Sequence, residues 1–287
     1  MLDFITVVFQ DEIHLLEIQA RSIDQYITNV NQIVVVVNDD YLNIDTSWWG
    51  RHQDKVIVKQ RDHFNFTLRG TGWETQQLFK LLAAGESTTN WSMVLDAKTW
   101  FIKPLDIDLL FDEQQRPRVG LGAINPHFKP TQQFVEKYYN IKLPAILGPS
   151  GVPFMIHTES CRELIQSFDN FTEFFQQHQL YPHLLTEFYL YSAFLIVKYG
   201  SLDVLYNTQD CYLQSVNIAD WESDNFTQLF NQMSISNRII AASIHRRTYQ
   251  KLSKNDINTW HNFLVSRKLI SEHNTLNTYI KEINYVN

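Results

Sequence analysis

The residues best suited to chemistry lie at the end of a short apolar run, in the stretch Trp91 to Pro104 (WSMVLDAKTWFIKP). The run from Trp91 to Leu95 has the length of a buried strand and is too short for a buried helix. Asp96 follows it directly, and Lys98 comes two residues later. Because ligands of α/β proteins bind beyond the carboxyl ends of parallel strands, Asp96 is a candidate site residue. The competing interpretation is an aspartate that caps a turn, which is the commoner role at strand ends.

Two other stretches place polar groups beside apolar segments. Glu187 is the only acid in the apolar stretch 186–199, whose composition is typical of a buried helix. A carboxylate at the start of such a helix either compensates the helix dipole or faces a site as a second catalytic carboxylate. Later in the chain, the apolar run IIAASI ends in His245, Arg246 and Arg247, three candidate donors to a phosphate group.

The elements around these residues follow an α/β pattern. Apolar, β-branched runs predict buried strands over 4–9, 33–37 and 55–58, and helical periodicity predicts a helix over 12–28. Strand, helix and strand at this spacing form a βαβ unit with a right-handed crossover. Each strand ends in polar residues that are able to hold a nucleotide.

Glycine placement excludes two kinds of phosphate loop. The turn after the first strand reads QDEIHLL and contains no glycine, so it is neither a dinucleotide-binding fingerprint nor a P-loop. The same absence argues against sugar nucleotidyltransferases. Clustered glycines occur only at Gly70 and Gly72, directly before a predicted helix over 73–84. The polar face of that helix presents Gln76 and Lys80, one turn apart.

Composition describes an ordinary globular protein. The chain has 287 residues, 44% of them hydrophobic and 19% charged, which is enough to bury a large core. A formal charge of −7 argues against general binding to nucleic acid or to anionic membranes. No apolar run approaches the ~20 residues of a membrane span, and the N-terminus is not typical of a signal peptide. We therefore expect a cytoplasmic protein. Cys161 and Cys211 are expected to be small buried hydrophobic residues.

The second half of the chain is less regular. We expect a strand at 154–156, a helix over 159–168 and a short strand at Val204 and Leu205. Two amphipathic helices are predicted in the tail, one around Trp260 and one around Tyr279. The sequence thus suggests one domain over residues 1–250 and a C-terminal helical extension over residues 251–287 that packs on it.

Taken in order, four stretches resemble the GT-A class of nucleotide-sugar glycosyltransferases: VVVVNDD, GWETQQLFKLLAA, VLDAKTWFIKP, and TEFYLYSAFL with IHRR near the end. Within that class the chain is similar to a poorly characterised group of bacterial and viral enzymes. The resemblance covers roughly residues 3 to 250. It implies an α/β domain with two Rossmann-like halves, a central mixed sheet flanked by helices, and a donor nucleotide over the first strands.

The resemblance also implies roles for individual residues. Asp96 matches the first acid of the Asp-x-Asp motif that holds a divalent metal in the class. Glu187 matches an acid that meets the transferred sugar or the acceptor, and His245 matches a late histidine that completes the metal or phosphate site. The residues expected to contact the donor are Phe9, Asn38, Asp39, Gln76, Lys80 and Arg246.

One residue departs from the family pattern. Lys98 occupies the place of the second acid of Asp-x-Asp. Either Asp96 and His245 still hold Mn²⁺ or Mg²⁺, or Lys98 replaces the metal as counter-charge to the leaving diphosphate, or the site has decayed and only binds. The first two alternatives have equal weight at this point.

The predicted function is therefore transfer of a sugar from a nucleoside diphosphate donor, in particular a UDP-sugar, to a hydroxyl group of a glycan or another acceptor. Asp96, Lys98 and Glu187 are the predicted catalytic residues. The loops 61–72 and 140–153 are the candidates for contacts to the acceptor and for a lid. The alternative is a non-catalytic module that binds nucleotide sugars or glycans.

Overall fold

The structure, a computed structural model, describes residues 1–39, 41–64, 72–122, 124–144, 146–147, 152–180, 182–218, 226–249 and 251–270. Its strands are β1 (Leu2–Val8), β2 (Val30–Val37), β3 (Val56–Lys59), β4 (Trp91–Asp96), β5 (Thr99–Phe101), β6 (Leu121–Gly122), β7 (Ile146–Leu147), β8 (Phe154–His157), β9 (Gln214–Ile218) and β10 (Ile239–Ile244). Its α-helices are α1 (Ile13–Tyr26), α2 (Gly72–Gly85), α3 (Lys129–Tyr139), α4 (Thr158–Gln166), α5 (Phe171–Gln179), α6 (Glu187–Tyr199), α7 (Phe226–Ile235), α8 (Arg246–Tyr249) and α9 (Lys254–Ser266).

The central sheet has five strands in the order β3-β2-β1-β4-β8. The first four are parallel and β8 runs antiparallel to β4, so the sheet is mixed, as the sequence predicts. All of β1 is buried, which suits a strand that carries helices on both faces. In the register of β1 and β4, Val7 lies opposite Asp96. The parallel pairing therefore brings the polar ends of β1, β2 and β4 to the same edge of the sheet.

A second sheet, in the order β5-β10-β9, adjoins the first. Its strand β5 follows β4 after a turn at residues 97–98, so this turn joins the two sheets. Helix α1 lies between two hydrophobic cores, because Leu16 belongs to the core of the central sheet and Leu15 to the core of the second sheet. Helix α9 packs on the second sheet, where the rings of Trp100 and Trp260 lie 5.9 Å apart.

Most of the predicted elements are present within a residue or two of their predicted ends. The strand predicted at Val204 and Leu205 is wrong: Leu202–Val204 form a 3-10 helix, which the side chain of Ser201 caps by accepting from the backbone N–H of Asp203. The preceding polar residue thus favours a helical turn over extension. The structure also has β9, α3, α5 and α7, for which the sequence analysis had no prediction.

The cysteines and the tail agree only in part with the sequence expectations. Cys161 is fully buried as expected, whereas Cys211 is only partly buried. The predicted tail helix around Tyr279 lies outside the described residues. Among the residues that the structure describes, no helix has both the length and the apolar character needed to cross a bilayer.

Candidate active site

The turn after Asp96 is held by a buried glutamine of α1. Gln19 donates from its Nε2 to the carbonyl oxygen of Asp96, at 2.7 Å, and to that of Thr99, at 2.8 Å. Its side chain is fully buried, so these two bonds satisfy carbonyl groups on both sides of the turn. Gln19 therefore fixes the point where β4 passes into β5. The helical pattern of α1 places Gln19 among apolar residues, but the sequence contains no signal for this role.

The carboxylate of Asp96 is bound through both of its oxygens. Lys80 Nζ lies 2.7 Å from Oδ1, and Lys98 Nζ lies 3.0 Å from Oδ2. Gln76 donates from Nε2 to Oδ1 at 2.9 Å. Helix α2 contributes Gln76 and Lys80 from positions one turn apart, which is the spacing that the sequence pattern emphasised. Asp96 and Lys98 keep 16% and 17% of their side chains exposed, so both reach the edge of the cluster.

Lys80 also joins Asp96 to Glu187. Its Nζ lies 3.0 Å from Oε1 of Glu187, and the exposed fractions of the two side chains are only 3% and 1%. Gln77 donates to the same Oε1 at 2.8 Å when its amide nitrogen faces the carboxylate. Lys80 is thus held between a carboxylate at the start of α6 and one at the end of β4. The structure brings these predicted residues together although they lie far apart in the chain.

The charges of the cluster determine its pKa values. Burial alone would raise the pKa of Asp96, but the adjacent ammonium groups of Lys80 and Lys98 hold it well below its usual range. Burial alone would lower the pKa of Lys80, but Asp96 and Glu187 raise it above the usual value. Burial would likewise lower the pKa of Lys98, but Asp96 and Glu12 raise it. Burial raises the pKa of Glu187, and Lys80 only partly offsets this effect.

A small cavity of about 80 Å³ opens beside Lys80 and Asp96. Aromatic rings form much of its wall, and Trp73 keeps 44% of its surface exposed there. The described residues that line it are Trp73, Gln77, Lys80, Asp96, Phe128, Val152, Thr186, Phe188 and Tyr189. We call it the Asp96 cavity. It combines a charged floor with ring faces, which is a suitable lining for a sugar next to a phosphate.

Two lining residues have properties that the sequence analysis did not anticipate. Thr186 is buried, and its Oγ1 has no hydrogen-bond partner among the described residues, which is uncommon for a buried hydroxyl group. The rings of Trp73 and Phe128 stack with centroids 6.5 Å apart. In the sequence, the tryptophan that directly follows the paired glycines is the signal that would have drawn attention to this wall.

The predicted donor residues at the ends of β1 and β2 lie around the start of α2. Asn38 donates from Nδ2 to the carbonyl oxygen of Gly72 at 2.8 Å and accepts from Thr75 Oγ1 at 2.7 Å. A side chain at Gly72 would collide with the ring of Phe9, because an added Cβ would lie 2.5 Å from it. Asp39 accepts from the backbone N–H of Gln10. These residues shape the edge of the sheet beside the Asp96 cavity and stay predicted donor contacts.

The late basic segment approaches the turn at residues 97–98. Ser243 pairs with Thr99 in the antiparallel register of β10 and β5, and His245 is the residue that follows β10. The backbone N–H of His245 donates to the carbonyl oxygen of Ile218 at 2.9 Å. The register therefore places the backbone of His245 near the turn. The side chain of Arg246, a predicted donor contact, lies outside the described part of the chain.

The residues around Asp96 do not fit a divalent cation. Both oxygens of Asp96 already contact ammonium groups, and Lys98 stands where a second acidic ligand would be needed. In the described ranges, no group of three or more His, Cys, Asp or Glu side chains is arranged to hold a metal ion. A cation at Asp96 would meet two positive charges at contact distance, which opposes its binding.

Glu187 is not one of the described residues that line the Asp96 cavity. Its side chain is 1% exposed and contacts Lys80. A general base must reach the acceptor hydroxyl within hydrogen-bond distance. In this structure Glu187 is placed to hold Lys80, and its predicted catalytic role stays a prediction.

Glycosyltransferases are among the solved structures that this chain resembles. The apo structure of the bifunctional glycosyltransferase WbbM matches with a TM-score of 0.50 and 10% identity, over 99% of this chain and 51% of that chain. The galactosyltransferase LgtC, in complex with donor and acceptor sugar analogs, matches with a TM-score of 0.46 and 10% identity, over 94% and 98% of the two chains. An active-site mutant of LgtC matches with a TM-score of 0.49 and 11% identity, over 92% of this chain and 96% of that chain.

The fold is therefore of the GT-A glycosyltransferase type, as predicted from the sequence. At this identity the similarity concerns the fold alone. This chain spans about half the length of WbbM. No curated protein shows a significant sequence match to it. Residues 5–237 match the family of unknown function DUF6492, and the chain belongs to that family.

Proposed function

We propose that this protein is a glycosyltransferase that moves a sugar from a nucleoside diphosphate donor, in particular a UDP-sugar, to a hydroxyl group of an acceptor. The observation that carries the proposal is the pair of lysines, Lys80 and Lys98, that converge on Asp96 at the carboxyl end of β4. They lie at the edge of a GT-A type sheet, next to a cavity with aromatic walls. This edge is where α/β proteins bind their ligands.

The chemistry requires positive charge at the leaving group. The bond between the anomeric carbon and the diphosphate oxygen breaks, and its electron pair stays on that oxygen. The acceptor oxygen forms the new bond to carbon, and its proton passes to the departing diphosphate oxygen or to water. A unit-charge contact at ~4 Å contributes about 4 kcal/mol at an effective dielectric of 20. Lys80 and Lys98 thus supply charge stabilisation that grows as the diphosphate departs.

The cluster performs this role without Mn²⁺ or Mg²⁺. Asp96 and Glu187 carry two negative charges, and Lys80 and Lys98 carry two positive charges. Each lysine Nζ lies within 3.0 Å of a carboxylate oxygen of the cluster, so the charges balance. In the metal-dependent arrangement, a cation would balance two acids of Asp-x-Asp. Here the balance is built into the side chains, so the donor diphosphate meets preorganised ammonium groups.

The other residues position the reacting groups. Glu187 holds Lys80, and Gln77, which also lines the cavity, donates to Glu187. Thr186 and Trp73 contact the transferred sugar, through a hydroxyl group and a ring face respectively. Asn38 and Asp39 lie toward the nucleoside, at the end of β2. In this arrangement Glu187 is a positioning residue, since it acts through Lys80.

Donor turnover tests the proposal. Purified protein is incubated with a panel of nucleotide sugars, and release of nucleoside diphosphate is followed with and without hydroxyl acceptors. We expect one donor to be turned over, and Asp96→Ala to abolish both turnover and donor binding. The proposal is wrong if no donor is turned over and Asp96→Ala leaves nucleotide binding unchanged.

A single substitution tests metal independence. Lys98→Asp creates the acidic Asp-x-Asp pattern, so we expect this variant to require Mn²⁺ for donor binding. Donor binding by the unmodified protein should not depend on Mn²⁺. Lys98→Met is the matched control, because it removes the ammonium group without adding a ligand. If the unmodified protein loses activity in a chelator and regains it with Mn²⁺, the metal-independent mechanism is refuted.

A further inference from the structure

A second cavity lies next to the Asp96 cavity and is not used by the donor site. Its volume is about 270 Å³, and it lies at the edge of the central sheet, along β8. Its lining comes from three segments of the chain: residues 110–121, 153–155 and 206–215. The lining residues that matter here are Arg118, Gly120, Phe154, Met155, Tyr206, Cys211 and Leu213.

The two cavities are adjacent at residues 152–154. Val152 lines the Asp96 cavity, whereas the next two residues, Pro153 and Phe154, line the second cavity. The ring of Phe154 lies against that of Phe188, a residue of the Asp96 cavity, with centroids 4.4 Å apart. Phe154 also pairs with Val94, two residues before Asp96 on β4. A group in the second cavity is therefore within one side-chain layer of the reacting centre.

The lining of the second cavity is mostly apolar and offers no unbalanced charge. Its one charged residue, Arg118, pairs with Asp210 at 3.1 Å. The hydroxyl group of Tyr206 donates to the carbonyl oxygen of Met155 at 3.0 Å, so Tyr206 presents its ring rather than a free donor. This lining does not suit a diphosphate, whose charge would lose its water without compensation. It suits an aromatic ring or a short alkyl chain.

One polar group adds to the chemistry of the second cavity. The Nε–H of Arg118 is buried and has no hydrogen-bond partner among the described residues. Buried donors normally have a partner, and an oxygen of a ligand would satisfy this one once a shift of the Arg118 side chain exposes it to the cavity. The volume is slightly below the roughly 300–1,000 Å³ of pockets that hold complete drug-sized ligands. It therefore matches one part of a larger molecule.

We propose that the second cavity binds an apolar group carried by the acceptor, an aromatic ring or short alkyl chain joined through an oxygen to the part that bears the reacting hydroxyl. The inference rests on the proposed function, since it names the class of acceptor for the same site. The protein would thus favour apolar glycosides or similar conjugates over free sugars.

The structure offers a substitution that fills the second cavity. A Cβ at Gly120 would lie 3.5 Å from Cys211 Sγ, which is an ordinary contact. Gly120→Leu adds a branched side chain to the lining, and its Cβ has no backbone atom beyond its chain neighbours within 4 Å. Leu213→Ala does the opposite and enlarges the cavity. Val197→Leu, at a position 48% exposed on α6, is a control that adds bulk elsewhere.

The experiment compares matched methyl, phenyl and octyl glycosides of glucose and galactose as binding probes, in the presence of UDP. We expect the phenyl glycoside of at least one sugar to bind at least tenfold more tightly than its methyl glycoside. Gly120→Leu should abolish this preference, Val197→Leu should keep it, and Leu213→Ala should shift it toward the octyl glycoside. Equal binding of methyl and phenyl glycosides, or a preference unchanged in both Gly120→Leu and Leu213→Ala, overturns the proposal.

Nucleotide binding and donor turnover, measured on the same variants, separate the two proposals. If donors are turned over but no apolar preference appears, the assignment of the second cavity is wrong and the proposed function stands. If the preference appears without any donor turnover, the second cavity binds apolar groups but the proposed function is wrong. If Gly120→Leu does not fold, Leu213→Ala alone tests the second cavity. This variant enlarges the cavity, so its preference must shift toward the octyl glycoside, and an unchanged preference overturns the proposal.

Discussion

Two aspartates on neighbouring strands of the central sheet, Asp3 and Asp96, differ in the partners that bind them. Asp3 lies near the amino end of β1 and Asp96 at the carboxyl end of β4. In the register of these strands, Asp3 lies opposite Ser92, which is four residues before Asp96. At roughly 3.3 Å per residue, the two aspartates are therefore about 13 Å apart along the strand direction. Both side chains are largely removed from solvent. The same residue type in one sheet thus has two environments.

Neutral donors surround Asp3. Asn31 donates at 2.7 Å, Gln32 at 2.9 Å and the backbone N–H of Thr88 at 2.9 Å, and the hydroxyl group of Ser87 also donates to it. Asp96 instead contacts two ammonium groups and one amide. Neutral donors tie Asp3 to the chain segments around it. The lysines at Asp96 form a charged cluster at a cavity, and this cluster responds to an anionic ligand.

The largest expected effect is that of Asp96→Asn. The substitution keeps the shape but removes the charge, which leaves the ammonium groups of Lys80 and Lys98 close together. We expect donor turnover to fall by about 10²–10³-fold, as when an electrostatic contact to the transition state is lost. Breaking a buried ion pair also costs about 3–5 kcal/mol of unfolding free energy. Turnover assays and urea unfolding measure the two losses. Unchanged turnover would contradict the assignment of Asp96 to the site.

Lys80→Met tests whether Glu187 acts through Lys80. The substitution leaves Glu187 buried without its cationic partner, so we expect a loss of about 3 kcal/mol in stability together with a loss of turnover. Adding Glu187→Gln removes the unpaired charge and should restore much of the stability but none of the turnover. Urea unfolding of the single and double variants measures the coupling. A double variant that regains turnover would show that Lys80 has no role at the leaving group.

For these residues, the sequence predicts the local elements but not all of the contacts between them. The strand before Asp96, the helix that carries Gln76 and Lys80, and the buried helix that starts at Glu187 are each visible as local patterns. Their convergence follows from the parallel topology. The bonds from Gln19 and the free hydroxyl of Thr186 depend instead on how separate elements pack, and no local pattern encodes them. The second cavity was missed for the same reason.

Asp3→Asn is the matched substitution at the other aspartate. It removes the charge and at least one acceptor from a fully buried group, so we expect a loss of about 1–3 kcal/mol in unfolding free energy. Donor binding and turnover should stay unchanged, because the side chain lies at the opposite end of the sheet. Comparing Asp3→Asn with Asp96→Asn in both assays tests the difference between the two environments. Similar loss of donor binding in both variants would contradict it.

The smallest expected effect is a shift in acid sensitivity. Burial would raise the pKa of Asp3, but its hydrogen bonds from Ser87, Asn31 and Thr88 outweigh that and lower it. A carboxylate with a lowered pKa contributes stability above its unfolded pKa of about 3.9, and this contribution is lost as the pH falls through the folded value. Asp3→Asn should therefore lose less stability than the unmodified protein between about pH 5 and pH 3. Urea unfolding at several pH values measures this, and identical slopes would contradict it.

In the proposed mechanism, two lysines bound to Asp96 take the place of a divalent cation at a nucleoside diphosphate. Calorimetric titration of UDP into the protein, in a chelator and again with excess Mn²⁺, tests it most directly. We expect binding in the chelator, unchanged by Mn²⁺ and lost in Lys98→Met. Binding that appears only with Mn²⁺, or that survives Lys98→Met at full strength, would contradict the claim.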